Sequence, residues 1–149
     1  MNKKQLLSIA VAALMGASQS FAAVEYWVAT NGSDENPGTE AKPFATPEMA
    51  VLMVKDNEET IIHLEKDATF MMAGQLNLDK NKICTIEGDN TTLKGAEKPG
   101  FQGGEAVRIF RAADNSKVTL RGLNFVNGRQ VEYVLGGAIY FAGEELNVD

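Results

Sequence analysis

Residues 117–128 read Lys-Val-Thr-Leu-Arg-Gly-Leu-Asn-Phe-Val-Asn-Gly, and their apolar side chains alternate with polar ones until the phase changes at a glycine. Before the glycine, Val118 and Leu120 point to one face of a strand. After it, the inward set becomes Leu123 and Phe125. A slip of one residue would turn these side chains to the wrong face unless the chain bends at the glycine. The stretch therefore predicts two short strands that meet at a corner.

An earlier part of the chain carries a similar pattern. Residues 85–90, Thr-Ile-Glu-Gly-Asp-Asn, align with residues 119–124, Thr-Leu-Arg-Gly-Leu-Asn, so that a glycine and an asparagine occupy the same places in both. A pair of glycines, at residues 103–104 and again at residues 136–137, also precedes a strand pattern each time. Cornered strands that recur along a chain predict a solenoid in which each repeat stacks on the one before.

The remaining strands follow from β-branched, aromatic and alternating runs. They are predicted at residues 24–30, 60–64, 70–78, 82–87, 91–93, 106–111, 118–120, 138–141 and 146–148. Residues 94–105 are polar and rich in glycine, which predicts a loop that protrudes between coils and is suited to binding. The last predicted strand has only begun where the sequence stops, so we expect a truncated protein or a gene fragment.

One helix is predicted at residues 46–55. Thr46 can accept hydrogen bonds from free backbone amides, Pro47 suits the first helical position, and Glu48 favours the positive end of the helix dipole. The apolar side of this helix is formed by Met49, Ala50, Leu52, Met53 and Val54. Because the helix precedes the repeats, we expect it to cover the open end of the solenoid, where core and strand edges would otherwise meet water.

The N-terminus has the organisation of a signal peptide. Lys3 and Lys4 precede a short apolar run, and Ser20 and Ala22 supply small residues where a signal peptidase reads, which predicts cleavage after Ala22. The mature domain would then be residues 23–149, exported to the cell surface or the medium. The apolar run is short for a membrane span, and no later stretch is apolar enough to cross a bilayer.

Charge and cysteine content limit the partners. The full chain has a formal net charge of -6, and loss of two lysines with the leader moves it to about -8. An acidic chain argues against nucleic acid or an anionic membrane as partner, since both require a basic face. The single cysteine, Cys84, lies in an apolar strand pattern and is interpreted as a small buried hydrophobe.

Two polar features were weighed as sites. Asp34 and Asn36 alternate as oxygen ligands do in a calcium loop, but the twelfth position of an EF-hand counted from Asp34 holds Ala45 instead of an acid, so a turn is favoured. His63, the only histidine, lies in mid-strand between apolar neighbours and is interpreted as an outward or hydrogen-bonded residue. No phosphate loop, zinc spacing or serine-histidine-aspartate set is present in the sequence.

Residues 26–34, Tyr-Trp-Val-Ala-Thr-Asn-Gly-Ser-Asp, together with residues 36–39, Asn-Pro-Gly-Thr, and 42–46, Lys-Pro-Phe-Ala-Thr, resemble the entry motif of right-handed parallel β-helix proteins of the pectate-lyase-like superfamily. Residues 136–139, Gly-Gly-Ala-Ile, resemble a repeat of polymorphic outer-membrane proteins. Those proteins pair it with Phe-x-x-Asn, whereas here Phe125 is followed by Asn127.

The resemblance implies an all-β fold, a right-handed parallel β-helix with an N-terminal capping helix. It also implies that asparagines at the corners satisfy backbone groups, so Asn124 and Asn127, with Gly122, Gly136 and Gly137, are assigned structural roles. Two functions follow as alternatives. The first is an exported or surface-displayed module without catalysis, which either binds polysaccharide or other cell-surface components as an adhesin does or is structural. The second is the N-terminal part of a polysaccharide lyase acting on uronic-acid glycans.

A lyase requires a cation that neutralises the sugar carboxylate and a base that removes the adjacent proton. Calcium would be the cofactor, and the candidates for the base are Arg108 and Arg121. Both have a simpler interpretation as solvated outward residues of alternating strands. A hydrolase would need two carboxylates across a cleft, and Glu87 and Asp89 lie instead along one turn. The sequence therefore favours a non-catalytic module.

Overall fold

The computed structural model describes residues 22–95, 108–128 and 138–149. These residues form one short helix and nine strands. In chain order they are β1 (Val24–Val28), α1 (Pro47–Leu52), β2 (Glu59–Leu64), β3 (Thr69–Met71), β4 (Leu76–Leu78), β5 (Ile83–Lys94), β6 (Phe110–Ala112), β7 (Lys117–Val126), β8 (Ile139–Phe141) and β9 (Glu145–Val148). The predicted leader (residues 1–22), apart from Ala22, and most of the predicted loop at residues 94–105 lie outside the described residues.

The strands form parallel sheets, which confirms a β-solenoid of about three turns. The first sheet has the order β1-β2-β5-β7-β9, with β3 paired to the second half of β5, and the second sheet has the order β4-β6-β8. Every pairing between these strands is parallel and joins one coil to the next. The handedness of the solenoid and the capping role of the helix stay predictions.

The largest difference in coil length lies between the first and second sheets. Phe70, Leu93 and Phe125 are register-equivalent in the first sheet, and Leu76, Phe110 and Ile139 are register-equivalent in the second. The chain from the first set to the second is short in the first coil, from Phe70 to Leu76. It is longer in the next two coils, from Leu93 to Phe110 and from Phe125 to Ile139. The additional chain therefore enters the solenoid at one corner. The glycine pairs at residues 103–104 and 136–137 belong to these two connections and lie outside the described residues.

The core is a stack of inward side chains, one from each coil. Ile62, Ile86 and Leu120 occupy register-equivalent positions in β2, β5 and β7, and each is at most 1% exposed. Neighbouring strands lie about 4.8 Å apart, so these side chains are in van der Waals contact from coil to coil. Cys84 and Val118 form a second such pair, which confirms the interpretation of Cys84 as a buried hydrophobe.

The corner in β7 behaves as its sequence predicts. Gly122 has a φ of 60°, and past it Leu123 and Phe125 pack against the core, as Val118 and Leu120 do before it. The two predicted strands form one bent strand. The bend also shifts the register, since three residues of β5 between Glu87 and Thr91 face a single residue of β7.

Two details of the sequence interpretation were wrong in this region. Asn124 pairs with Thr92 rather than with Asn90, because β5 makes its corner with two more residues than β7. Residues 70–78 do not form one strand but two, β3 and β4, which belong to different sheets.

The helix begins where it was predicted to begin and ends earlier. Thr46 Oγ1 accepts a hydrogen bond from Met49 N (3.2 Å), with Pro47 at the start of the helix. The helix ends at Leu52, and Leu52 and Met53, assigned to its apolar side, are exposed. Pro47, Ala50 and Val51 are buried instead, and the helix contacts β1, β2 and β4.

Candidate functional site: the outer face of the first sheet

The first sheet carries a regular grid of outward side chains. At alternate positions of β1, β2, β5, β7 and β9 the side chains point away from the core, and parallel register brings them into rows that cross the strands. We call this surface the outer face. Its first row is Glu59, Ile83, Lys117 and Glu145; its second row is Glu25, Ile61, Thr85, Thr119 and Asn147; its third row is Trp27, His63, Glu87 and Arg121, continued by Asp149 after β9.

The third row, which we call the charged row, is linked from strand to strand. His63 Nδ1 lies 2.9 Å from Glu87 Oε1, and Glu87 Oε2 lies 3.9 Å from Arg121 Nη1. Arg121 Nε lies 3.5 Å from Asp149 Oδ2. The row therefore links β2, β5 and β7 to the residue after β9, and Arg121 lies between two carboxylates. Opposite charges on neighbouring strands stabilise the pairing of those strands.

His63 is held on three sides. Its Nε2 lies 2.9 Å from Glu25 Oε2, its Nδ1 faces Glu87, and its ring stacks on Trp27 with the ring centroids 4.6 Å apart. Each ring nitrogen of His63 therefore faces a carboxylate on a neighbouring strand, Glu25 on β1 and Glu87 on β5.

Arg121 stands between two carboxylates and faces solvent. Its side chain is 55% exposed and contacts Glu87 and Asp149. The outward position agrees with the sequence interpretation. A guanidinium ion offers only donors, so in this arrangement Arg121 can bind an acceptor on a ligand.

Arg108, the second arginine considered as a base, is not a solvated outward residue. It is buried, with 6% of its surface exposed, and its guanidinium carbon lies 4.8 Å from the centre of the Tyr140 ring. The predicted strand at residues 106–111 begins only at Phe110, and Ile109 and Phe110 are both buried, so strict alternation fails there. Arg108 and Arg121 are associated with different sheets and do not form one site.

The candidate calcium ligands bind other parts of the chain. Asp34 Oδ1 accepts hydrogen bonds from the backbone amides of Ala45 and Thr46, both at 2.9 Å, and its Oδ2 accepts one from Thr46 Oγ1 at 2.7 Å. Asn36 Nδ2 donates to Pro43 O at 2.8 Å. Both side chains thus fasten the loop after β1 to the start of the helix, which is the behaviour of a structured turn.

Polar side chains at the corners form short ladders. Asn90 Nδ2 donates to Asp67 Oδ1 (2.8 Å), and Asn124 Nδ2 donates to Asn90 Oδ1 (3.2 Å). Asp67 and Asn90 have positive φ values, as does Asn127 at the end of the bent strand. Short polar side chains tolerate this backbone conformation and bind neighbouring groups, so the ladder is a structural feature of the corners.

The carboxylates weighed for a hydrolase lie in separate ion pairs. Glu87 contacts His63 and Arg121 on the outer face, whereas Asp89 Oδ2 lies 2.6 Å from Lys66 Nζ at the corner. The hydrogen bond to Asp89 raises the pKa of Lys66 above its ordinary value, and the charges of Asp89 and Asp67 act in the same direction. Neither carboxylate is placed opposite the other across a cleft.

A groove runs beside the charged row. It has a volume of about 180 Å³ and lies between the first and second rows of the outer face, over β5, β7 and β9. A second depression, of about 420 Å³, shares Glu59 and Ile83 with it and extends past Asn57 and Glu58 to Ala22. Both are open surface features, lined by polar and apolar residues on one side of the solenoid.

The sequence pattern did not predict the charged row as a site. His63, Glu87 and Arg121 were interpreted separately, and Glu25 and Trp27 were not among the candidate site residues. The available signal was that each of these residues occupies an outward position in an alternating strand. Which residues become neighbours depends on the coil lengths, and those follow from the strand register.

Comparison of the chain with protein-family models, with curated proteins and with solved structures found no match in any of the three. Within the described residues, no group of three or more histidine, cysteine, aspartate or glutamate side chains could hold a metal ion. The same part of the chain contains no helix that is long and apolar enough to cross a membrane. The parallel sheets define the class of this protein as a parallel β-solenoid.

Proposed function

We propose that this protein is an exported, surface-displayed β-solenoid module that binds polysaccharide or other cell-surface components and does not catalyse a reaction. The observation that carries the proposal is the outer face of the first sheet, an exposed grid of polar and charged side chains in register over five strands. Its histidine and arginine are each held by two carboxylates. Such a surface has donors and acceptors for a ligand, and its histidine and arginine already contact carboxylates of the chain.

We further propose that the solenoid is a right-handed β-helix of the pectate-lyase-like type, with α1 as its N-terminal cap. Support comes from the segment that resembles the family's entry motif. Phe44 pairs with β1 through Ala29 N to Phe44 O (3.0 Å) and Phe44 N to Trp27 O (2.9 Å), and its side chain is buried. The segment thus lies along the outer edge of β1 and leads directly into the helix.

Polysaccharide lyase activity on uronic-acid glycans is the alternative that the experiment must exclude. Its base would be one of the two arginines. Arg108 is buried beside Tyr140, and Arg121 is held as a cation between Glu87 and Asp149. These surroundings favour binding over proton abstraction.

The full chain is tested on immobilised alginate, pectate, chondroitin, chitin and whole bacterial cell-wall polysaccharide. We expect binding to at least one of these, and we expect Arg121→Ala to weaken the binding of an acidic polymer about tenfold because a charge-assisted contact is lost. Arg111→Ala is the matched control, since Arg111 lies on the second sheet and its guanidinium also pairs with an acid, Asp79, at 3.9 Å. Equal loss in both variants, or no binding to any polymer, contradicts the proposal.

The same preparation is incubated with the uronate polymers and calcium while ultraviolet absorbance is followed. We expect no rise in absorbance, because no unsaturated uronate is formed. A rise that Arg121→Ala abolishes without unfolding the protein would instead establish the lyase.

Export is tested separately by expressing the full chain in a Gram-negative host and determining the mass and N-terminal sequence of the product. Cleavage after Ala22 predicts a chain that begins at Ala23 and accumulates outside the cytoplasm. A product that keeps Met1 and stays in the cytoplasm would contradict this part of the proposal.

A further inference from the structure

The groove on the outer face has a polar lining that repeats with the coils. Thr85, Thr119 and Asn147 occupy equivalent positions on β5, β7 and β9, one strand spacing of about 4.8 Å apart. Within the described residues, the hydroxyl groups of Thr85 and Thr119 have no hydrogen-bond partner in another side chain. One donor or acceptor per strand, repeated along the solenoid axis, suits a ligand that is itself a repeating chain.

The dimensions of the groove also favour an extended ligand. Pockets that enclose a small molecule usually have volumes of about 300–1,000 Å³. The groove measures about 180 Å³ and is open along its length, and it continues past Glu59 and Ile83 into the second depression. A linear polymer lying across the strands can occupy both depressions at once.

The charge along this path is negative. Glu58, Glu59, Glu144 and Glu145 lie on or beside it, against Lys55 and Lys117. Lys55 pairs with Glu58 at 3.8 Å and Lys117 pairs with Glu144 at 3.5 Å, so the charges of Glu59 and Glu145 remain as excess negative charge. Glu145 Oε1 also accepts a hydrogen bond from Asn147 Nδ2 at 3.1 Å. An anionic chain would be repelled along the groove, and a cationic one would be attracted.

We propose that this groove binds a linear polysaccharide that carries free amino groups, with its hydroxyls on Thr85, Thr119 and Asn147 and its ammonium groups beside Glu59 and Glu145. This inference rests on the proposed function and specifies the ligand class and the place where it binds. Hydroxyl-rich sugars can bind the two threonine hydroxyls and the amide oxygen of Asn147, whose nitrogen donates to Glu145. Ammonium groups provide the charge complementarity that a neutral or uronic-acid chain lacks.

The test measures binding of the full chain to glucosamine oligomers, to N-acetylglucosamine oligomers of the same length, to oligogalacturonate and to oligolysine by calorimetry. We expect the glucosamine oligomers to bind at least about tenfold more tightly than the acetylated ones, because acetylation replaces each ammonium group with a neutral amide. Oligogalacturonate should not bind, and added salt should weaken glucosamine binding.

Two pairs of variants locate the site. The double variant Glu59→Gln and Glu145→Gln should weaken glucosamine binding about tenfold. The control is the double variant Glu35→Gln and Glu40→Gln, which removes the same charge from the exposed loop after β1. This control should change the affinity for glucosamine oligomers little. Thr119→Val keeps the shape of the groove but lacks the hydroxyl, so it should weaken sugar binding. Circular dichroism and thermal unfolding check that each variant is folded.

Three outcomes would overturn the inference. The first is equal binding of glucosamine and N-acetylglucosamine oligomers. The second is an equal effect of the two pairs of glutamate substitutions on glucosamine binding. The third is oligolysine binding that is as tight as sugar binding and insensitive to Thr119→Val, which would indicate a peptide site. Failure of the glucosamine oligomers alone leaves the proposed function standing if a polymer of the earlier panel binds through Arg121. Failure of every polymer in both tests refutes both proposals.

Discussion

At the scale of single residues, the two arginines considered as catalytic bases show how the same charge can have opposite surroundings. Arg108 is buried beside Tyr140, and Arg121 is exposed between two carboxylates. The sequence pattern predicted that both face solvent, because each occupies an outward position in an alternating strand. That assignment fails at Arg108, where Ile109 and Phe110 are buried in succession and alternation does not hold. Such local departures arise from the geometry of the corner and leave no trace in the hydrophobic period.

The cysteine gives a prediction about reactivity. Burial raises the pKa of the Cys84 thiol to about 12, so almost no thiolate exists near neutral pH. We expect the folded protein to react with iodoacetamide at about pH 8 at least about a hundredfold more slowly than the protein unfolded in guanidinium. Mass spectrometry of quenched samples measures this rate. Equal rates in the two states would mean that the thiol is accessible in the folded protein.

The glycine at the corner of β7 gives a prediction about stability. Gly122 has a positive φ of 60°, and a Cβ at this position would lie 2.3 Å from the carbonyl oxygen of Gly88. Gly122→Ala should therefore lower the free energy of unfolding by about 2 kcal/mol or more. Gly74→Ala is the control, because a Cβ there meets nothing within 4 Å. Urea unfolding compares the two, and an equal effect would refute the strain at the corner.

At the scale of elements, the strands and the start of the helix were predictable, and their ends and partners were less so. The change of phase at Gly122 and the cap at Thr46 are local signals, and both are confirmed. The break of residues 70–78 into β3 and β4 was missed, because Phe70, Met72, Leu76 and Leu78 are all buried and give no sign of the change of sheet.

A contact between the ends of two strands gives a prediction about pH. Glu65, after β2, accepts hydrogen bonds from Thr30 Oγ1 (2.6 Å) and Thr30 N (2.7 Å), and these lower the pKa of its carboxyl below the ordinary value. A folded-state pKa below the unfolded one stabilises the protein fully above the unfolded pKa, and this stabilisation is lost as the pH falls through the folded pKa.

Glu65→Gln should therefore lower the free energy of unfolding near neutral pH by no more than about 1 kcal/mol, because the carboxylate is exposed. The difference from the unmodified protein should shrink on acidification to about pH 3. Chemical unfolding at a series of pH values measures it, with the exposed Glu40→Gln as control. A difference that stays constant with pH would show that the carboxylate charge does not contribute.

At the scale of the whole molecule, the candidate site exists only because the coils are in register. Trp27, His63, Glu87 and Arg121 are far apart in the sequence and meet on adjacent strands. The sequence predicted the repeat but not how residues on different coils align, since the chain between coils varies in length. Long-range register is set by the inward side chains and the corners together, so the site could not be assembled from local patterns.

The stacked core predicts how stability is distributed along the solenoid. Ile62 and Ile86 are neighbours on adjacent strands, whereas Ile62 and Leu120 are separated by the strand between them. In a solenoid each coil contacts only its neighbours, so coupling between core residues should end after one strand spacing. Ile62→Val, Ile86→Val and Leu120→Val should each lower the free energy of unfolding by about 1 kcal/mol.

The double variant of Ile62 and Ile86 should deviate from additivity by about 0.5 kcal/mol or more, because the two side chains share contacts. The double variant of Ile62 and Leu120 should be additive within about 0.5 kcal/mol, since the two residues lie roughly 10 Å apart across two strand spacings. Urea unfolding of all five variants of the full chain supplies both cycles. Stronger coupling across two coils than across one would contradict nearest-neighbour stacking and would mean that the three coils share one undivided core.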